Sequence, residues 1–215
     1  DGISVLVVGA YAENSYTGAV SVLFMTTSGT TSAVQKISNS DGGLAAHYTL
    51  SSDYFGISVA PLGDMNGDGV VDFAVGAYRD DDGSSKAGAF YLIFATTSGT
   101  VGDADKVSML EGGFASFYTL DIGDKFGSSL TLLGNSDGTL ELVVGATGDD
   151  DGLIAAAWSG AAGAAYVLSF EMMSPTPLPT VTLLPTVTRP PAVPPPPRPS
   201  PAPPPPPRHP RRPRR

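Results

Sequence analysis

The sequence predicts an all-β protein made of repeated four-stranded antiparallel units and followed by a polyproline-II tail. Two observations support this. Short blocks of sequence recur in the same order along the chain, and the composition changes near residue 174, beyond which 19 of the 20 prolines lie. The preceding part is rich in Gly, Val, Ala, Ser, Thr and Asp, which is typical of short strands joined by tight turns. We therefore expect a β-repeat domain at 1–173 and a Pro-rich stalk at 174–215.

The repeat is defined by an apolar block that ends in Val-Gly-Ala. Its glycines are Gly9, Gly76 and Gly145, at steps of 67 and 69 residues. A fixed period with several matching blocks indicates stacked supersecondary units that bury a shared core. The other recurring blocks are Thr-Thr-Ser-Gly-Thr at 26–30 and 96–100, Asp-x-Phe-Gly at 53–56 and 124–127, and Asp-Asp-Asp-Gly at 80–83 and 149–152.

Each complete unit is predicted to contain four strands, which in the central unit lie near 55–62, 71–78, 89–95 and 105–110. The second strand is apolar throughout, so we expect it to be buried on both faces. The fourth is more polar and should lie outermost, a gradient that favours a propeller blade. Because the first and last units are incomplete, the chain should hold about ten strands, an open array that needs neighbouring sheets.

The loop at 63–72 places oxygen-bearing side chains at alternating positions. Ca²⁺ prefers six to eight hard oxygen ligands, and glycine permits the sharp turn that gathers them. The sequence therefore predicts a calcium site, although a polar Asn/Asp/Gly turn is the alternative reading. The proposed ligands are Asp64, Asn66, Asp68, the backbone carbonyl of Val70, and Asp72.

The last unit carries a weaker version of this loop, in which no acid stands at the first ligand position. Its proposed ligands are Asn135, Asp137, Thr139 and Glu141. The triple-aspartate turns at 80–82 and 149–151 are further metal candidates, with solvated acidic turns as the ordinary alternative.

These motifs resemble the FG-GAP repeat, the unit of the integrin α-subunit β-propeller. The resemblance rests on Phe55-Gly56, the loop at 64–72 and Val75-Gly76-Ala77, in that order, and covers about residues 1–170. It implies a propeller-like β fold with Ca²⁺ in blade loops on one face, and a use in adhesion. The repeat is longer than usual, and Tyr78 and Thr147 stand where the family name expects Pro.

The tail at 174–215 has no acidic residue. Proline fixes φ and lacks an N–H, so polyproline II is expected. Pro-rich segments with Ser and Thr are typical of O-glycosylated stalks, and the proline runs resemble hydroxyproline-rich glycoproteins of green-algal type; a disordered linker or an SH3-type ligand is the alternative. The glycosylation candidates are Thr176, Thr180, Thr182, Thr186, Thr188, Ser200, Pro194, Pro195, Pro196, Pro197, Pro203, Pro204, Pro205, Pro206 and Pro207.

Charge is divided sharply between the two parts. The body holds 21 acidic and 5 basic residues, a net charge of −16, and the tail holds 7 arginines. An acidic body argues against nucleic acid and for divalent cations as partners. The apolar insertion around Trp158 is a candidate subunit contact. The segment at 153–170 is too rich in Ala and Gly to predict a membrane span.

The sequence offers no catalytic constellation, so we expect a protein that is not an enzyme. Cysteine is absent, and no phosphate-binding loop or nucleophile elbow occurs. The leading hypothesis is a calcium-stabilised structural subunit of an extracellular or cell-surface glycoprotein fibre, located at the cell surface or in a cell wall, whose copies join through body–tail and body–body contacts. The alternative is an adhesion or ligand-binding propeller head on a stalk, as a fragment of a longer protein.

Overall fold

The structure is a computed structural model that describes residues 4–136, 139–150 and 163–171, together with the backbone of 184–185. Its described part is almost entirely β, which confirms the predicted fold class. The strands are β1 Ser4–Gly9, β2 Val20–Met25, β3 Thr31–Ile37, β4 Val59–Gly63, β5 Asp72–Ala77, β6 Ala89–Ala95, β7 Val101–Val107, β8 Phe126–Ser136, β9 Thr139–Ala146, β10 Ala164–Glu171 and β11 Leu184–Pro185.

Short helical turns connect some of these strands. Glu13–Tyr16 forms a single turn, α1, with left-handed φ at Asn14 and Ser15. Two 3₁₀ turns, Leu44–Ala46 and Phe114–Ser116, follow the outermost strands of the first two sheets. Each inserts its first residue, Leu44 or Phe114, into the core. No helix in the described part of the chain is long and apolar enough to cross a membrane.

The strands form three separate antiparallel sheets in which sequence neighbours pair. Sheet I has the order β1-β2-β3, sheet II β4-β5-β6-β7, and sheet III β8-β9-β10-β11. Each sheet is a meander, as a propeller blade requires, and the described residues form no closed barrel. Sheet I has no counterpart of β4 or β8, as the repeat pattern predicted.

The strands differ from the prediction in the boundaries of two of them and in their number. β4 begins at Val59 rather than near 55, because Phe55 bridges to Gly18 of the preceding unit instead of pairing within its own sheet. The fourth strand of the central unit is β7, which begins earlier than 105–110 because the turn closed by Thr96 N–H and Thr100 O returns the chain directly to β6. The described strands number eleven rather than about ten, because the backbone of 184–185 pairs with Leu168 and Ser169 of β10.

Two hydrophobic cores join the sheets. The core between sheets I and II contains Val20, Ile37, Phe55, Val75 and Tyr91. The core between sheets II and III contains, among others, Phe90, Leu92, Phe114, Phe126, Leu142 and Tyr166. Sheet II therefore buries both faces, and β5 and β6 are buried at every residue.

The Phe-Gly block links each sheet to the one before it. Phe55 forms a parallel bridge with Gly18 of the preceding unit, and Phe126 forms the equivalent bridge with Gly88. A Cβ added to Gly76 would overlap the carbonyl oxygen of Gly127. Glycine is thus required in the Val-Gly-Ala block, because the backbone of the next unit lies against it.

Candidate functional site

The predicted calcium loop lies between β4 and β5. Its glycines adopt the left-handed φ that the sharp turn needs, +79° at Gly67 and +86° at Gly69. Asp64 lies at the centre of the loop. Its carboxylate accepts hydrogen bonds from the N–H groups of Gly67 at 2.7 Å and Gly69 at 2.8 Å, and also from that of Asp68. The loop backbone is therefore organised around the first predicted ligand.

Asn66 and Asp68 complete the outer part of the loop. The Asn66 amide nitrogen donates to Asp68 Oδ2 at 3.0 Å, and the N–H of Asp68 donates to Asn66 Oδ1 at 3.0 Å. The other Asp68 oxygen accepts from Val70 N–H at 2.8 Å. These two side chains are held together by local hydrogen bonds of the kind seen in Asx turns.

Asp72 lies at the base of the loop as the first residue of β5 and is fully buried. Its two oxygens accept hydrogen bonds from Met65 N–H at 2.9 Å and from Ala95 N–H at 3.0 Å. Burial raises the pKa of Asp72 to about 6; the two N–H donors act in the opposite direction, and the charges of Asp68 and Asp64 raise it further. A divalent cation would relieve this repulsion.

The residue types fit Ca²⁺, since every side chain of the set offers a hard oxygen. Asp64, Asn66, Asp68 and Asp72 would hold the ion with the carbonyl of Val70, and the ion would supply charge neutralisation at a loop with three carboxylates. In their present orientation, however, no three acidic or histidine side chains in the described ranges are grouped closely enough to hold a metal. Calcium binding by this loop stays a prediction.

The corresponding loop of sheet III has a different backbone. β8 extends to Ser136 and β9 starts at Thr139, so the strands pair almost to the tip of the hairpin. Glu141 pairs with Gly134 just as Asp72 pairs with Gly63, so the two residues are equivalent in the repeat. Unlike Asp72, however, Glu141 is only partly buried. Asp137 and the side chain of Asn135 lie outside the described residues, so the weaker site also remains a prediction.

The triple-aspartate turn of sheet II lies next to a buried lysine rather than in open solvent. Lys106 Nζ lies 2.7 Å from Asp80 Oδ2 and 2.6 Å from Asp82 Oδ2. The same nitrogen lies 5.5 Å from the centre of the Tyr91 ring, and the Tyr91 hydroxyl donates to Asp80. Burial lowers the pKa of Lys106, but its bonds to Asp80 and Asp82 outweigh this and leave the pKa raised.

Sequence reasoning missed this ion cluster because Lys106 is distant in sequence from the turn it neutralises. The repeat does contain a signal: Lys36 occupies the register position in sheet I that Lys106 occupies in sheet II. Lys36 pairs with Glu13 of the corresponding loop, near the surface. In sheet III, the Tyr166 hydroxyl donates to Asp149, whereas Asp151 lies outside the described residues.

A cluster of tyrosines was also missed by the sequence analysis. Tyr54 stacks on Tyr16 with ring centres 4.8 Å apart and on Tyr11 at 5.7 Å, both at an interplanar angle of 14°. Tyr78 meets Tyr54 edge-on at 5.2 Å, and the Arg79 guanidinium lies 4.5 Å from the centre of the Tyr54 ring. We call these five residues the tyrosine cluster.

Several predicted sites lie outside the described residues. These are Trp158 with its insertion, and the side chains of all the glycosylation candidates of the tail. Body–tail contacts between copies, glycans and the proposed subunit contact therefore stay predictions.

Residues 55–93 match the FG-GAP repeat. This segment runs from Phe55 through β4, the Asp64–Asp72 loop and β5 into β6, so the match covers the strands and the loop on which the resemblance was based. FG-GAP repeats often bind Ca²⁺, and domains built from them are typically extracellular, non-enzymatic propeller modules. The central part of the chain is thus similar to an FG-GAP repeat, which indicates an integrin-like propeller module of the adhesion or ligand-binding type.

Proposed function

We propose that the chain is a non-enzymatic structural subunit of an extracellular fibre, in which three-sheet bodies stack on one another and Ca²⁺ stabilises the loop at 64–72. The observation that carries this proposal is the outward face of sheet I. Leu6 is 50% exposed and Val34 is 60% exposed, whereas the residues at the same register positions of sheet II, Phe73 and Ala104, are 3% and 6% exposed.

In sheets II and III, this face is covered by the preceding sheet. An apolar sheet face left in water is a typical interaction surface, and a repeat unit buries it by stacking on a neighbour of the same kind. An apolar cleft of about 270 Å³ lies between β1 and sheet II, lined by Val5, Val7, Val59 and Phe73 among others. A contact between a first and a last sheet is heterologous, so it can propagate into a filament.

The FG-GAP match favours a second candidate, an adhesion or ligand-binding head in which further repeats complete the propeller within one polypeptide. The two candidates predict different behaviour of the chain as it stands. A fibre subunit associates with copies of itself, whereas a part of a longer propeller has no tendency to form ordered arrays.

The test is electron cryo-microscopy and sedimentation velocity of the intact chain in Ca²⁺ and after chelation with EGTA. Regular filaments in Ca²⁺ that loosen in EGTA support the proposal, because loss of the ion leaves three carboxylates repelling one another in the loop. The Asp64→Asn variant should remain loosened in Ca²⁺, and Asp121→Asn, at an exposed carboxylate outside both predicted calcium loops, serves as its control. A chain that stays monomeric at all concentrations would refute the fibre.

A further inference from the structure

The tyrosine cluster lies where the loops of two units meet, and its outer rings face solvent. Tyr11 is 42% exposed and Tyr16 is 49% exposed, while Tyr54 is half-buried and stacks on both rings. Stacked, exposed tyrosines present rigid apolar surface with a polar rim, and such residues are enriched at binding hot spots. The geometry is that of a small aromatic platform.

The repeat shows that the fold does not require aromatic residues at the positions of Tyr16 and Tyr54. The N–H of Tyr54 donates to the carbonyl of Tyr16, and the N–H of Lys125 donates to that of Lys86 at the next junction. All four residues have left-handed φ, from +56° to +67°. The contact between the first and second units and the contact between the second and third units therefore share one backbone geometry. Lysines adopt it at the second of these contacts.

Of the remaining members, Tyr11 has the aromatic Tyr78 as its counterpart after the next Val-Gly-Ala block, whereas the counterparts of Tyr78 and Arg79 are not aromatic. Thr147 and Gly148 occupy the positions of Tyr78 and Arg79, as the equivalent bonds from Arg79 N–H to Asp53 O and from Gly148 N–H to Asp124 O show. A platform that appears at only one of two equivalent junctions points to binding rather than to folding.

The chain itself contains a segment whose chemistry fits this surface. Residues 189–215 combine the proline runs with seven arginines, and the body that carries the platform has a net charge of −16. Proline-rich segments in polyproline II dock on grooves lined by aromatic rings, because the proline rings pack flat on the aromatic faces and the preformed helix has little entropy left to lose. Opposite net charges favour the encounter.

We propose that Tyr11, Tyr16 and Tyr54 form a docking site for the proline- and arginine-rich segment 189–215 of a second copy of this chain. Proline rings pack on the exposed faces of Tyr11 and Tyr16, and the arginines face the acidic body. This inference rests on the proposed assembly of copies and assigns one of its contacts to named residues.

The test is fluorescence anisotropy with a labelled synthetic peptide of residues 189–215, titrated with the intact chain. Tyr16→Lys installs the residue found at the equivalent position, so the variant is expected to fold, which circular dichroism checks; Tyr11→Ser is the second variant. Each should weaken peptide binding at least tenfold. Lys86→Ala, at the equivalent position of the other junction, should leave binding unchanged.

Two further peptides separate proline packing from charge. A peptide with alanine at 194–197 and 203–207 keeps every arginine and should bind at least tenfold more weakly. A peptide with glutamine for arginine should bind more weakly but stay sensitive to Tyr16→Lys. Equal binding of the alanine peptide, or unchanged binding by both tyrosine variants, would overturn the inference.

Failure of the docking site and failure of the fibre give different results in these experiments. Filaments that form normally from a chain unable to bind the peptide would refute the docking site and leave the fibre standing. Peptide binding that is lost in Tyr16→Lys, by a chain that never forms filaments, would support the docking site and refute the fibre.

Discussion

At the scale of single residues, two buried charged groups have the largest predicted effects. Lys106 is 8% exposed and holds Asp80 and Asp82 together beneath Tyr91. Asp53 is 7% exposed, and one oxygen accepts a hydrogen bond from Ser51 N–H at 2.8 Å. Both lie beside the loops that carry the tyrosine cluster, so their ionisation affects the stability of that end of the body.

Lys106→Ala should destabilise the body by about 3 kcal/mol, because it leaves Asp80 buried opposite Asp82 without a counter-ion. The matched change Lys36→Ala removes the repeat-equivalent lysine near the surface, where an ion pair contributes little because water screens it, so its loss should be much smaller. Urea unfolding followed by circular dichroism measures both values. Equal losses of unfolding free energy in the two variants would show that burial of the Lys106 cluster adds nothing to stability.

Asp53 should make stability depend on pH. Burial raises its pKa to about 6, opposed by the Ser51 N–H bond and assisted by the charge of Asp80. The folded protein therefore binds this proton more tightly than the unfolded chain, so the stabilisation is present below about pH 4 and is lost as pH rises through 6.

Asp53→Asn should accordingly be about 1–2 kcal/mol more stable than the parent at pH 7 and nearly equal to it at pH 4, since the amide oxygen can still accept the Ser51 bond. Unfolding in urea at pH 4, 5, 6 and 7 gives the difference curve. A difference that stays constant over this range would contradict the assignment. The comparison removes the contributions of Asp72 and Asp105, whose pKa values are also raised.

At the scale of elements, the spacing between sheets is set by backbone contacts at glycine. The N–H of Gly76 donates to Ser58 O, and its carbonyl accepts from Gly56 N–H. The space that a Cβ on Gly76 would occupy is taken by the backbone of Gly127. One glycine thus fixes both the start of β4 and the approach of sheet III.

Gly76→Ala should therefore destabilise the body by about 2–3 kcal/mol or more, because the added methyl group can be accommodated only by moving one sheet away from the other. Gly134→Ala is the control: it also lies in a strand, its φ is not left-handed, and a Cβ there has no atom within 4 Å. That change should be neutral or slightly stabilising. Thermal unfolding of the two variants tests the contrast, and similar midpoints would refute it.

Most of the strands and their order could be predicted from the sequence. The apolar blocks predicted the strands and their order, since a short apolar segment between turn residues, such as β5, favours a strand buried on both faces. The Lys106 cluster and the tyrosine cluster could not be predicted in the same way. Each depends on which residues of different loops meet, as Tyr16 and Tyr54 do, and periodicity within one unit carries no information on that contact.

At the scale of the whole molecule, the outward face of sheet I is apolar and exposed to solvent. Sheet II buries both faces, and sheet III buries the face that carries Leu142 and Val144. The same face of sheet I exposes Leu6, Val8 and Val34. The sequence predicted this incompleteness from the order of the blocks, and the structure shows which residues it exposes.

The double variant Leu6→Ser, Val34→Ser should weaken self-association at least tenfold. Burying a Leu or Val side chain contributes about 1.5–3 kcal/mol, and about 1.4 kcal/mol corresponds to a factor of ten in an association constant. Because both side chains are already exposed in the isolated body, its unfolding should change little. Ile122→Ser, which removes a side chain that is 78% exposed but lies on a loop, is the control and should associate like the parent. Sedimentation equilibrium gives the constants; if the double variant associates as tightly as Ile122→Ser, the outward face of sheet I is not the contact that joins copies, and stacking of sheets cannot be what builds a fibre.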